Sequence, residues 1–151
     1  MNDLFDQVDI ELFTDGACQI NPGPGGWGVL IRHGAQVQEL CGGAPATTNN
    51  RMELMAVIRG LEATAPGSRV LVTLDSRYVQ DGVEQWLLRW RRNGWKTSKG
   101  TAVKNQDLWE ELQALLARRR VRWQWVPGHS GHVENKRADE LAKQGLATVT
   151  T

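Results

Sequence analysis

Ile10-Glu11-Leu12-Phe13-Thr14-Asp15-Gly16 decides how this chain is read. Its alternation predicts a half-buried strand, with Ile10, Leu12 and Thr14 on one face and Glu11, Phe13 and Asp15 on the other. A carboxylate is thereby delivered at the strand's end, on a fixed backbone, just where glycine begins. Alone, an Asp before a Gly is a turn former. The rest of the chain determines whether Asp15 is more than that.

Downstream, Asn21-Pro22-Gly23-Pro24-Gly25-Gly26 is a dense turn signal that reverses the chain into a second strand over 27–32, and His33-Gly34 turns it into a third over 37–42. Three strands in succession imply an antiparallel meander. Thr47-Thr48-Asn49-Asn50 supplies helix-capping chemistry, and Leu54, Val57, Ile58 and Leu61 form one helical stripe up to Ala63. After Pro66-Gly67, the apolar run 69–74 has strand length, and Asp75-Ser76 starts a second helix. Leu108, Leu112, Leu115 and Leu116 mark a helix over 106–116, and Val121, Trp123 and Trp125 mark a strand over 121–126. Beyond the Pro127-Gly128-His129-Ser130-Gly131-His132 loop, Ala138, Leu141, Ala142 and Gly145 line the packing side of a last helix.

The expected order is β-β-β-α-β-α-α-β-α, so the fourth and fifth strands arrive through helical crossovers and run parallel to their neighbours. Asp75 then ends the fourth strand as Asp15 ends the first, and adjacency brings both to one sheet edge. Glu53 lies in the first turn of one helix and Asp139 near the middle of the last. Four acids from four elements can converge. Each also has a plainer reading: Glu53 could complete a capping box with Asn50, Asp75 could cap a helix, and Asp139 could pair with Lys143 at i+4.

A chain of 151 residues with 40% hydrophobic content supports one core, so a single domain over 1–151 with a core of about 10–145 is expected. No apolar run has the length of a membrane span, and the acidic start does not resemble a secretory signal, which makes the cytoplasm the expected compartment and excludes a membrane partner. Two cysteines, Cys18 and Cys41, argue against a disulfide framework or a cysteine zinc site. The net charge of +1 carries no global signal for nucleic acid, but its distribution does. Between Glu84 and Asp107 no acidic residue occurs, while Arg89, Arg91, Arg92, Lys96, Lys99 and Lys104 accumulate beside Trp86, Trp90 and Trp95. That composition suits a phosphate-binding surface. Arg118-Arg119-Arg120 is explained by the dipole at a helix C-terminus.

Phe13-Thr14-Asp15-Gly16, Asn21 to Gly26, Thr48 to Leu54, Thr73-Leu74-Asp75-Ser76, Gly94-Trp95, Val103-Lys104-Asn105, Gly128-His129 and Ala138 to Ala142 together resemble ribonuclease HI of the bacterial type. The resemblance runs from about Ile10 to about Gly145, with the motifs in family order. It implies an α/β ribonuclease H-like fold: a five-stranded mixed sheet, its first three strands antiparallel, with helices on both faces. It also implies metal-binding catalytic acids at Asp15, Glu53, Asp75 and Asp139 and a mobile active-site histidine at His129. The implied activity is endonucleolytic hydrolysis of the RNA strand of RNA/DNA hybrids, leaving 3′-hydroxyl and 5′-phosphate ends.

The chemistry asks for the same residues. Phosphodiester hydrolysis needs an activated water, an electrophilic phosphorus and a stabilised leaving oxygen, which two magnesium ions roughly 4 Å apart supply. Magnesium, with manganese as an alternative, prefers carboxylate oxygens. Asp15, at the sheet's centre, is expected to bridge the two ions. Recognition of a 2′-hydroxyl calls for groups that donate and accept, and the resemblance assigns Asn21, Asn49 and Asn50, with Cys18 and Gln19, to the minor groove. It assigns Thr48 to a phosphate of the DNA strand and the segment holding Trp86, Arg89, Arg91, Arg92 and Lys96 to a basic protrusion. Arg77 and Arg89 depart from the Gln and Asn common in relatives. The short start leaves no room for the additional hybrid-binding module of some relatives, and a monomer is expected. His33 and His132 read as ordinary exposed histidines. The competing readings are a non-catalytic hybrid-binding module, which has no need of four acids, and a metal-dependent phosphotransfer enzyme sharing the fold, which has no need of the protrusion.

Overall fold

The computed structural model describes residues 8–97, 99–128 and 132–150. In chain order they form β1 (Ile10–Cys18), β2 (Gly23–His33), β3 (Gln36–Thr47), α1 (Asn49–Glu62), β4 (Arg69–Leu74), α2 (Arg77–Asp81), a π-helical turn (Gly82–Trp86), α3 (Leu87–Arg92), α4 (Gln106–Leu116), β5 (Arg120–Trp125) and α5 (Val133–Ala147). One five-stranded sheet has the order β3-β2-β1-β4-β5. The β1–β2 and β2–β3 pairs are antiparallel, and the β1–β4 and β4–β5 pairs parallel, as the crossovers require.

The period-2 alternation of β1 sorts the core into two layers. Ile10 and Leu12 join Val29, Ile31, Val70, Val72 and Leu74 beneath α1, whose Leu54, Val57, Ile58 and Leu61 are buried there. On the opposite face, Phe13 and Leu30 meet Ala138 of α5 in a smaller cluster. Helices thus cover both faces. At β2 position 28 a Cβ would press into the α5 backbone at Ala138 and Ala142, so Gly28 lets that helix lie close on the sheet beside Asp15, its register partner.

Two expectations about the first strands change. β1 does not end at Asp15: its pairing with β4 stops at Phe13↔Thr73, yet β2 keeps it extended through Cys18↔Gly25. Nor is the whole Asn21 to Gly26 stretch a turn, because β2 already begins at Gly23. By contrast 69–74 and 106–116 form the expected strand and helix at those bounds. Among the described residues no helix is long and apolar enough to cross a membrane.

Candidate active site

Asp15 stands where β1 has left β4 behind but is still held by β2, so its side chain points past the end of the parallel pairing. Gly16 follows it, and a Cβ there would collide with the backbone of Met52 and Glu53. The missing side chain lets α1 close on β1 and sets Glu53 against Asp15. Thr48 caps that helix, its Oγ1 accepting from the Arg51 N–H at 3.2 Å. Glu53 therefore completes no capping box; it is only 6% exposed and aimed inward. Asp75 leaves the end of β4, while the cap of α2 is Ser76, whose Oγ accepts from Val79 N–H at 3.2 Å.

Carboxylate oxygens of Asp15, Glu53 and Asp75 lie within 4.8 Å of one another. Asp139, the fourth expected member, helps to raise the Asp15 carboxyl but holds Lys143 at 3.0 Å, the i+4 pairing open to it from the sequence. It joins the rim of the cluster rather than its centre.

Three carboxylates this close cannot all be ionised without a counter-charge. Burial, followed by the charge of Asp75, pushes the Asp15 carboxyl up to about 7. Burial, then the charges of Asp15 and Asp75, pushes Glu53 well above the usual carboxylate range. Glu53 Oε2 is buried without a hydrogen-bond partner. Converging hard oxygen donors, mutual repulsion and an orphaned acceptor oxygen fit a divalent cation of the magnesium class, which takes oxygen ligands and neutralises the charge.

His129 lies outside the described residues. The chain entering its segment passes over the cluster, since a Cβ on Gly128 would lie 3.5 Å from Asp75 Oδ2. Between β1 and α1, Asn21 Oδ1 accepts from Asn49 N–H at 3.2 Å, and Cys18 Sγ faces the carbonyls of Ile20, Gly23 and Thr47 at 3.2, 3.7 and 3.8 Å. These bonds tie the 18–23 loop to the start of α1, with Gln19, Asn21 and Asn50 exposed along the rim. Cys18 and Cys41 are both free thiols.

The basic segment stands on an aromatic spine. Tyr78 packs on Trp86 and Trp109, Trp86 on Trp90, and Trp90 on Trp95 and Trp109, with ring centroids 5.4 to 6.2 Å apart. Arg77, Arg89, Arg91, Arg92 and Lys96 are exposed. Trp86, Arg89 and Lys96 share a cleft of about 250 Å³ with Trp90, Asn93 and Thr97. Stacking surface and cations on one cleft suit a nucleic-acid strand.

Three residues had been given no role at the site from the sequence. Arg51 spans from α1 to the start of α4, donating to Asn105 Oδ1 at 3.2 Å and to both Asp107 oxygens. The Tyr78 hydroxyl accepts from Asn105 Nδ2 and Trp109 Nε1 at 3.1 and 2.9 Å. His132 is not a bystander but the half-buried N-cap of α5, packed on Phe13. A cap signal before 133 was available in principle, but histidine is outside the usual capping set.

Comparison with known proteins agrees with this geometry. A family model described as RNase H matches residues 7–147. A ribonuclease H of Rhodospirillum rubrum is 58% identical over 145 residues, covering 96% of this chain and 87% of that protein. A ribonuclease HI of Neisseria meningitidis serogroup B is 56% identical over 138 residues, covering 91% of this chain and 95% of the relative. The crystal structure of LC9-RNase H1, described as a type 1 RNase H with the type 2 active-site motif, superposes with a TM-score of 0.82 at 35% identity, over 93% of this chain and 73% of that one. Fold, carboxylate cluster and relatives lead to one conclusion: the chain belongs to the RNase H family.

Proposed function

We propose that this RNase H-family endoribonuclease cuts the RNA strand of RNA/DNA hybrids with Asp15, Glu53, Asp75 and Asp139 holding two magnesium ions, and leaves 3′-hydroxyl and 5′-phosphate ends. The observation that carries the reading is the mutually repelling triad of buried Glu53, half-buried Asp15 and exposed Asp75, with its orphaned Glu53 oxygen. A module that only bound nucleic acid would gain nothing from that arrangement, which is unfavourable until cations arrive.

Bound divalent cations would supply Lewis acidity to the phosphodiester and its attacking water. The chain's own residues do the rest. Asp15, raised to about 7 by burial and Asp75, and Glu53, raised well above the usual carboxylate range, would hold such a cation in their deprotonated forms. Asn21, Asn49 and Asn50, with Cys18 and Gln19, donate to and accept from 2′-hydroxyls in the minor groove, a reading that the Asn49 N–H to Asn21 Oδ1 bond supports by tying the 18–23 loop to the start of α1. Thr48 holds a phosphate of the DNA strand at the start of α1. Trp86, Arg89, Arg91, Arg92 and Lys96 bear on the same strand's backbone, and Arg77 lies between the two groups in sequence. His129 moves a proton or aids product release. One domain over 1–151, a monomer, and the cytoplasm complete the reading, with two free thiols in keeping with a reducing compartment.

The test is incubation of strand-labelled hybrid, double-stranded RNA and double-stranded DNA with magnesium, and again with chelator. The expected result is cleavage of the RNA strand of the hybrid alone, abolished by chelator. Equal cutting of double-stranded DNA, or cutting that survives chelation, would contradict it.

A further inference from the structure

Arg51 stands where its own helix does not favour it. It lies at the start of α1, whose first turn holds no acidic residue, and the helix dipole there repels a cation. Its backbone N–H donates to the Thr48 cap, but its side chain leaves α1 altogether. Nη1 and Nη2 donate to Asp107 Oδ1 and Oδ2 at 3.0 and 2.7 Å, a two-pronged pair with an acid in the first turn of α4. Nη1 also donates to Asn105 Oδ1 at 3.2 Å. A lysine would reproduce the charge but not this planar fork. Asn105 makes a matching departure. It stands at the N-cap of α4 with a left-handed backbone, φ 62°, yet its side chain does not cap the helix. Asparagine is among the best capping residues, so that bond is given up for another use. The amide oxygen accepts from Arg51, and the amide nitrogen donates to the Tyr78 hydroxyl at 3.1 Å.

That amide joins three parts of the molecule. Arg51 shares α1 with Glu53, and Tyr78 lies on α2, the helix that follows Asp75. Val103, buried just before Asn105, donates its N–H to the Trp95 carbonyl at 3.0 Å, and Lys96 and Ala102 are bridged beyond it. The chain entering Asn105 is therefore the return limb of the basic protrusion. Elements that hold Glu53, Asp75 and the protrusion meet at one side chain, and Arg51 fastens it. We propose that Arg51 is a positioning residue: by fixing Asn105 and Asp107 to α1, it sets the span between the protrusion and the carboxylates, and with it which phosphodiester of a gripped hybrid reaches them. The inference rests on the proposed cleavage of hybrids. A duplex held by its DNA strand at the protrusion presents one bond of its RNA strand to the carboxylates only while that span is fixed. A loosened joint presents several and holds each less well.

The test compares wild type, Arg51→Met, Arg51→Lys, Asp107→Ala and the double variant of Arg51→Met with Asp107→Ala on an end-labelled hybrid of one sequence, reading KM, kcat and the distribution of cuts. Arg51→Met is expected to raise KM about fivefold with kcat held within about twofold, and to spread cutting from the preferred bonds to their neighbours. Arg51→Lys keeps charge and stem without the fork, so it should recover only part of the KM and of the cut pattern. Asp107→Ala should act in the same direction, and the double variant should be no worse than Arg51→Met, because both groups act through one link. A lowered Tm with KM and cut pattern unchanged would make the pair structural only. Additive losses in the double variant would mean that Arg51 acts apart from Asp107, as in a direct contact with the hybrid. Either result overturns the proposal. The link is also read without substrate: the NMR signals of the Asn105 side-chain amide should move in Arg51→Met and in Asp107→Ala, and signals unmoved in both would overturn it as well. A wild type that cuts no hybrid, with those signals moving, would instead count against the ribonuclease reading.

Discussion

The carboxylate cluster and the basic protrusion are built on opposite terms. Asp15, Glu53 and Asp75 are like charges crowded at the end of the sheet, where burial and repulsion raise the first two carboxyls. A rigid frame holds them, with Gly16 closing α1 on β1 and Gly28 closing α5 on β2. In the protrusion the charges stand apart in solvent, and beneath them lies a half-buried aromatic spine, rooted in the buried Trp109 and joined through the Tyr78 hydroxyl. The first region stores repulsion that a cation relieves; the second presents charge that costs little to hold. Stability and function are therefore opposed at the carboxylates and nearly independent at the protrusion.

Substitutions should separate the two regions, and the largest effect belongs to the carboxylates. Asp15→Asn is expected to lower turnover by at least about a thousandfold while hybrid binding persists, because it removes a ligand that water cannot replace. His129→Ala should cost about 10 to 1000-fold, since other groups or water can move a proton. Steady-state cleavage beside filter binding measures both, and a dead His129→Ala with an active Asp15→Asn would reverse the roles. Next in size is the protrusion. Replacing Arg91, Arg92 and Lys96 by Ala should weaken hybrid binding and flatten the log-log salt dependence by up to about 2 to 3 units, with kcat retained. An unchanged slope would remove those residues from the phosphate surface. Smaller still is Tyr78→Phe, which strands the Trp109 and Asn105 donors and should lower Tm by several degrees for a loss of about 1 to 3 kcal/mol. An unchanged Tm would mean that the hydroxyl does not link protrusion to core.

Legibility in the sequence followed the same division. The strand at 69–74 and the helix at 106–116 could be read to the residue, because Pro66-Gly67 and Asp75-Ser76 bracket the first and a regular leucine stripe marks the second. Asp15 and Asp75 were readable as neighbours once parallel crossovers put their strand ends at one sheet edge, and the motif order added Glu53 and Asp139. The extension of β1 to Cys18 was not, since glycines that look like a turn are there to admit α1. Asp139 was placed near the cluster, but its competing bond to Lys143 depends on side-chain rotamers that spacing does not determine. The π-helical turn over Gly82–Trp86 left no periodic trace, because Gly82 makes room for the Trp109 ring, a long-range contact. Arg51 and His132 escaped for the same reason: their partners lie on other elements, at Asp107 and Phe13.

Stored repulsion at the carboxylates is the central claim, and thermal unfolding of the wild type and Asp15→Asn tests it without substrate. A carboxyl raised in the folded state stabilises fully below its unfolded value near 4 and loses that contribution as pH rises through its folded value, here about 7. In chelator at pH 8, Asp15→Asn is therefore expected to melt above the wild type, by about 2 to 4 °C for each kcal/mol of relief, and the gap should close toward pH 5. Magnesium should raise the wild-type Tm more than that of the variant, because binding stabilises the folded state only where affinity survives. An Asp15→Asn protein that melts below the wild type in chelator at pH 8, with the same gap at pH 5, would show Asp15 to be a structural acceptor and contradict the account.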